Sequence, residues 1–173
     1  MEDTIEVLIE GDVVDKRIRE LAAQISKEHE QKTVHLLCIL KGSVFITCEL
    51  AKHLTIPCSM DFMSVSSYGD AMESSGKVKI KKDLDEDIEG LHVIIIEDII
   101  DSGRTLAALR KELLKRNPAS LKICTLLDKP DSRVADVDVD YTGFVVPDEF
   151  VVGYGLDYAQ KYRNLPYIGK IVQ

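Results

Sequence analysis

The stretch VIIIEDIIDSGRT, residues 93–105, runs four apolar residues into Glu97, Asp98 and Asp101 and then into Ser102, Gly103, Arg104 and Thr105. The unbroken Val-Ile-Ile-Ile run has no polar alternation, which marks a strand covered on both faces. From residue 105 the spacing turns helical through TLAALRKELLKRN, and Pro118 is expected to terminate that helix. A buried strand that turns at once into an amphipathic helix is the building unit of a parallel sheet. In such sheets ligands bind just past the carboxyl ends of the strands, which is where these acids and this turn stand.

The same alternation extends outward in both directions. TVHLLCIL (33–40) and SLKICTLLD (120–128) are further near-continuous apolar runs. CSMDFMSVSSY (58–68) and KVKIKKDL (77–84) read as strands, as does the short TIEVLI (4–9). DVVDKRIRELAAQISKEH (12–29) reads as a helix, with Val14, Ile18, Leu21 and Ile25 on one face. VFITCELAKHL (44–54) reads as another, and the tail after 137 holds short strands broken by Gly and Pro. These elements predict an α/β fold: a central, mainly parallel sheet flanked by helices on both faces. With 173 residues and no repeat, low-complexity tract or linker, residues 1–173 are expected to form a single domain.

Composition narrows the function classes. A net charge of −8 argues against a general nucleic-acid binder, which would be basic. The longest apolar runs, VIII and LLCIL, fall far short of the ~20 residues of a membrane helix. The acidic N-terminus lacks the basic region of a signal peptide, so a cytoplasmic protein without membrane contact is expected. Cys38, Cys48, Cys58 and Cys124 lie in or beside apolar stretches with no C-x-x-C spacing, and are expected to be buried free thiols. His29, His35, His53 and His92 show no zinc-ligand spacing and are expected to be surface or half-buried. Any metal must therefore be held by oxygen.

The opening stretch combines two chemistries. Asp101, Ser102 and Gly103 sit where a strand enters a helix that starts near Arg104 or Thr105. A helix's first turn offers unpaired N–H groups and partial positive charge, so this turn is a candidate phosphate cradle. Neither the Walker A spacing nor G-x-G-x-x-G is present. Glu97 and Asp98 leave the strand on opposite faces. Carboxylates there can accept hydrogen bonds from sugar hydroxyls or bind Mg²⁺. A phosphorylated sugar satisfies both halves: its phosphate meets the cradle and its diol meets the acids. The plainer alternative is a structural helix capped by Asp101 or Ser102, with Glu97 and Asp98 as exposed loop charges. The whole string favours the ligand site.

The string also resembles the phosphoribosyl-diphosphate (PRPP) signature of the type I phosphoribosyltransferases. In the form E-D-I-I-D-S-G-R-T it is similar to the 6-oxopurine branch, the hypoxanthine-guanine phosphoribosyltransferases. LKGS (40–43) resembles that branch's pyrophosphate loop and SSYG (66–69) the start of its lid. LLDKP (126–130) and PDEFVVGYGLDYAQKYRNLPYIG (147–169) resemble its purine-binding and C-terminal segments. Ser43 stands where some members have glycine, and the short C-terminus is similar to the compact bacterial form.

The resemblance implies a type I fold whose N- and C-terminal segments form a small hood. It also implies transfer of the 5-phosphoribosyl group from PRPP to hypoxanthine or guanine, with pyrophosphate released. Asp101, Ser102, Gly103, Arg104 and Thr105 would hold the 5′-phosphate, and Glu97 and Asp98 would meet the ribose hydroxyls. Asp101 would act as acid/base near the purine N7. Lys41, the Gly42 N–H and Arg163 would bind pyrophosphate. Asp157, with Glu97 and Asp98, would serve Mg²⁺. Lys129 would read the 6-oxo group, Phe150 would stack on the base, and Val151 would offer backbone groups. In that family a cis peptide often follows the residue matching Lys41. The polar segment 66–77 would close as a mobile lid, with Ser67 and Tyr68 over the site. A homodimer or homotetramer is implied. A competing reading, a PRPP-sensing regulator, would not be expected to keep Lys129, Asp157, Arg163 and a lid together; a second, a phospho-receiver switch, would require its acid pair near the first strand, where TIEVLIEGDVVDK does not match.

Overall fold

The structure, a computed structural model, describes residues 4–67 and 78–172. Its larger sheet has six strands. They are β2 (Val34–Ile39), β3 (Cys58–Ser67), β4 (Val78–Lys82), β5 (His92–Ile100), β6 (Ser120–Asp128) and β7 (Tyr141–Val145), in the order β4-β3-β2-β5-β6-β7. Every pairing is parallel except β3 with β4. The expected fold is therefore found. The antiparallel pair closes at Ser67↔Val78, so the two ends of the polar segment are held side by side.

The period-two geometry of the central strands sorts their side chains onto two cores. Leu36 of β2, Ile94 and Ile96 of β5, and Cys124 and Leu126 of β6 pack toward helices α1 (Gly11–Glu28) and α2 (Val44–His53). There they meet the stripe Val14, Ile18, Leu21 and Ile25 together with Ile46 and Leu50. On the other face Leu37, Ile39, Val93, Ile95 and Ile123 meet Leu106, Leu109 and Leu113 of α3 (Arg104–Leu114). Each central strand reads as a continuous apolar run because helices cover both of its faces.

A second sheet joins the chain ends: β1 (Thr4–Ile9), β9 (Ile168–Val172) and β8 (Val151–Val152), antiparallel in the order β1-β9-β8. This is the expected hood. It is tied to the body through Tyr154, whose hydroxyl donates to Asp15 Oδ1 of α1 at 3.0 Å. Arg17 of the same helix holds the last strand of the large sheet, donating to the carbonyls of Gly143 at 2.9 Å and Thr142 at 2.8 Å.

Several local expectations are corrected. α3 ends at Leu114, ahead of Pro118, because Asn117 takes a left-handed backbone (φ 54°) and the chain leaves the helix before the proline. Cys38 and Cys124 are buried, but Cys48 and Cys58 are exposed; all four are free. Cys48 points away from the buried side of α2 formed by Ile46, Thr47 and Leu50, and Cys58 opens β3 directly after Pro57. His29 and His35 are buried, with Nδ1 hydrogen-bonding to Ile25 O at 2.9 Å and to Ser59 Oγ at 2.8 Å respectively.

Candidate active site

The loops that follow β2, β5 and β6 meet at the carboxyl edge of the sheet. After β5 the chain passes through Asp101 and Ser102 to Gly103, which precedes α3 with a left-handed backbone (φ 76°) and no side-chain cap. The capping reading of Asp101 and Ser102 is thus not borne out; the one local contact is a long one, Arg104 N to Ser102 Oγ at 3.4 Å. The early N–H groups of α3 are left for a ligand. A cavity of about 270 Å³ opens there, lined among others by Glu97, Asp101, Ser102, Gly103 and Thr105.

The cradle is buttressed from behind. A Cβ on Gly103 would lie 2.8 Å from Cδ of Arg133, so both φ and space require glycine. The N–H groups of Val134 and Ala135 both donate to Ser102 O at 3.0 Å. Arg133 itself is held by Asp128 and by Val137 O. The sequence reading missed this support, since Asp128 and Arg133 carry no spacing that sets them apart from loop charges.

Glu97 and Asp98 diverge as adjacent strand residues must. Glu97 lines the cavity; Asp98 turns to the loop after β2. Burial pushes the Glu97 carboxyl well up, and the neighbouring Asp98 charge adds to it. Burial also raises Asp98, opposed by its hydrogen bond from Ile99 N at 2.7 Å and by the charge of Arg163. Two desolvated acids side by side form a site that favours a cation or a hydroxyl donor.

A cis peptide joins Leu40 to Lys41, one bond before the expected position after Lys41. Gly42 packs directly on Asp98, for a Cβ there would fall 1.6 Å from Asp98 Oδ2. Gly155 also closes on Gly42, its own Cβ position lying 2.0 Å from Gly42 O. Lys41 Nζ reaches Gln160 Oε1 at 3.1 Å. Arg163 pairs with Asp157 Oδ1 at 2.7 Å and donates to Gly155 O at 2.7 Å. Lys41, Gly42, Asp157 and Arg163 are thus brought together. Gln160 stands among them and was not foreseen, because an amide carries no charge pattern to flag it.

Glu97, Asp98 and Asp157 do not gather into one ligand cluster: among the described residues no group of three or more His, Cys, Asp or Glu could hold a metal. Both Asp157 oxygens are already engaged, by Arg163 and by Gln160 N at 2.8 Å. Mg²⁺ is commonly held by one or two carboxylates plus substrate phosphates, and the oxygen donors Glu97 and Asp98 fit that mode.

Lys129 is only 7 % exposed. Its ammonium lies 3.4 Å from both Asp101 Oδ1 and Asp148 Oδ1, and its N–H donates to Ile100 O at 3.0 Å. Asp148 is a second residue that sequence reasoning missed. Phe150 is 57 % exposed, edge-on to Tyr158 at 5.4 Å, while Val151 is buried at the start of β8. An exposed aromatic ring beside a buried strand offers a stacking face. Ser67 ends β3, and Tyr68 lies outside the described residues.

Comparison with known proteins identifies the family and the fold. The family model of the phosphoribosyl transferase domain matches residues 10–159. The hypoxanthine phosphoribosyltransferase of Salmonella typhimurium is 50% identical over 174 aligned positions, covering 99% of this chain and 98% of that protein. The hypoxanthine-guanine phosphoribosyltransferase of Streptococcus pneumoniae is 50% identical over 167 positions, covering 96% and 93%. The crystal structure of a hypoxanthine-guanine phosphoribosyltransferase from Bacillus anthracis superposes with a TM-score of 0.94 at 45% identity, covering 99% of this chain and 100% of that one.

Proposed function

The chain belongs to the phosphoribosyl transferase family, and from that premise we propose that it is a purine-salvage enzyme. It moves the 5-phosphoribosyl group of PRPP to N9 of hypoxanthine or guanine, giving IMP or GMP and pyrophosphate. One observation carries the choice of base: the buried Lys129 ammonium lies 3.4 Å from the Asp101 carboxylate. A 6-oxopurine presents an acceptor, O6, next to N7, which can carry a proton. A cation donor beside a carboxylate acceptor matches that edge, whereas the 6-amino group of adenine would face the cation with donors of its own.

The remaining roles belong to the same proposal. Ser102, Gly103, Arg104, Thr105 and the N-terminus of α3 hold the 5′-phosphate. Glu97 and Asp98 meet the ribose hydroxyls and, with Asp157 nearby, serve Mg²⁺. When bound, that ion neutralises charge on the departing pyrophosphate. Lys41, Gly42 and Arg163 supply the protein's own contacts to it. The C1′–O bond to pyrophosphate breaks as the C1′–N9 bond forms, and the base gives up a proton. Asp101, which would face N7 of the imidazole ring, assists that loss. Phe150 stacks on the base and Val151 offers backbone groups to its edge. Residues 66–77, whose ends are pinned together at Ser67↔Val78, close over the site, with Ser67 and Tyr68 excluding water.

The chain is read as one domain, 1–173, with PRPP and purines as partners and neither nucleic acid nor membrane. The free thiols suit the reducing cytoplasm. A homodimer or homotetramer is proposed, and the exposed Phe45 and Met60 supply apolar contact surface for it. The test is direct: protein, Mg²⁺ and PRPP are mixed with each purine base and nucleotide is measured. Product is expected from hypoxanthine or guanine and not from adenine; no product from either 6-oxopurine would overturn the reading.

A further inference from the structure

Gln160 touches both charged residues assigned to pyrophosphate, Lys41 and Arg163, and also Asp157 beside them. Its side-chain oxygen accepts from Lys41 Nζ at 3.1 Å and, at the limit of hydrogen bonding, from Arg163 Nη2 at 3.5 Å. Its backbone N–H donates to Asp157 Oδ2 at 2.8 Å, while Asp157 Oδ1 pairs with Arg163 at 2.7 Å. Lys41 follows β2, 119 residues before Gln160, and Arg163 lies in the C-terminal segment, so Gln160 links two distant parts of the chain. The backbone that presents it is unusual. Ala159, Gln160 and Tyr162 all have positive φ (50°, 67° and 74°), a conformation L-residues seldom adopt without a compensating constraint.

We infer that Gln160 is a positioning residue of the pyrophosphate subsite, which gathers Lys41 and Arg163 on one neutral acceptor before the anion arrives. The inference rests on the assignment of Lys41 and Arg163 to pyrophosphate. The chemistry explains why an amide suits the place. Two cations drawn to one oxygen repel each other, and only an acceptor holds them close. A carboxylate would hold them harder but would neutralise part of the charge and compete with the incoming anion for the same donors. An amide orients both donors and yields to a diphosphate, whose several charged oxygens are stronger acceptors. Gln160 therefore acts through Lys41 and Arg163, without chemistry of its own.

The test uses the whole protein with Mg²⁺ and measures pyrophosphate affinity in the reverse direction, with IMP affinity as the internal reference. Gln160→Glu is expected to weaken pyrophosphate by about tenfold or more, as a charged competitor for both donors should. Gln160→Ala is expected to raise the pyrophosphate KM by roughly three- to tenfold with kcat little changed, the signature of lost ground-state organisation. Both should bind IMP as wild type does. Wild-type pyrophosphate affinity in Gln160→Glu, or a parallel loss of IMP affinity in both variants, would overturn the inference in favour of a plain structural role. Lys41→Ala separates the two levels. If it leaves pyrophosphate affinity unchanged, the subsite assignment itself is wrong. If it weakens pyrophosphate while Gln160→Glu does not, only the role of Gln160 falls.

Discussion

Gly42 and Asp98 are in such close contact that a single added Cβ would lie 1.6 Å from the Asp98 Oδ2 oxygen. The loop after β2 and the acid near the end of β5 are therefore one packed surface. Gly155 packs on the same glycine, its own Cβ position lying 2.0 Å from Gly42 O, so the loop is crowded by a second element as well. Gly42→Ala should displace Asp98, the Gly42 N–H or both. A misplacement of about 1 Å can cost on the order of 100-fold in rate, so kcat/KM for PRPP should fall by about that factor. Steady-state kinetics with circular dichroism as a folding control checks it. An active Gly42→Ala enzyme would show that the loop relaxes freely.

The four thiols should divide by burial. Cys48 and Cys58 are exposed, whereas Cys38 and Cys124 are buried. Burial pushes the Cys124 thiol up to about 12 and raises Cys38 as well, so neither offers thiolate near neutrality. Titration of native protein with a thiol reagent should count two fast-reacting cysteines, and denaturant should release the other two. Fast reaction of four would contradict the core packing.

What the chain spelled out locally was legible in the sequence, and what it assembled from distant parts was not. The run Val93–Ile96 between acids and helix fixed the central strand, because a strand buried on both faces must be apolar throughout. The DSG turn was readable as a strand-to-helix junction because the periodicity changes there, and Gly103 does precede α3 with a left-handed backbone. Arg133 behind Gly103, Asp148 on Lys129 and Gln160 on Lys41 were not readable. Each is an ordinary polar loop residue whose partner is chosen by tertiary packing. The buried His29 and His35 were misjudged for a related reason. In each ring Nδ1 finds a partner, Ile25 O or Ser59 Oγ, a match that no spacing rule displays.

Acid sensitivity should centre on Glu28, far from the site. The Tyr141 hydroxyl donates to its carboxylate, Gln24 adds a bond, and Lys122 lies 3.1 Å away; together these lower Glu28 from 4.5 to about 2. A carboxyl with a depressed folded value stabilises above its unfolded value and loses that contribution as pH falls through the folded one. Tyr141→Phe removes the largest cause. The difference in Tm between wild type and Tyr141→Phe should be full above about pH 4.5 and shrink between there and about pH 2. A difference that stays constant across that window would mean that the tyrosine acts through packing alone.

Lys129 should govern recognition of the base. It is buried between Asp101 and Asp148, each 3.4 Å from its ammonium. Lys129→Gln keeps a donor but removes the charge and leaves two carboxylates facing each other. A charged hydrogen bond contributes ~1.5–3 kcal/mol, so kcat/KM for hypoxanthine should fall by about 10- to 100-fold. PRPP affinity should change little. An equal loss for PRPP and hypoxanthine would place Lys129 on the phosphate side of the site.

Asp101 is where the two halves of the opening stretch meet. It lines the cavity with Gly103 and Thr105, yet its carboxylate reaches back to Lys129 on the loop after β6. Asp101→Asn preserves the shape and one hydrogen-bonding oxygen but cannot take a proton. General-base assistance contributes about 10²–10⁴-fold, so kcat should drop within that range while the Kd for PRPP stays near wild type. Pre-steady-state turnover and PRPP calorimetry separate these quantities. If PRPP binding disappears together with turnover, Asp101 serves to shape the cradle, and the proton leaves by another route. If kcat survives and only the base KM rises, Asp101 positions Lys129 and the purine without moving a proton.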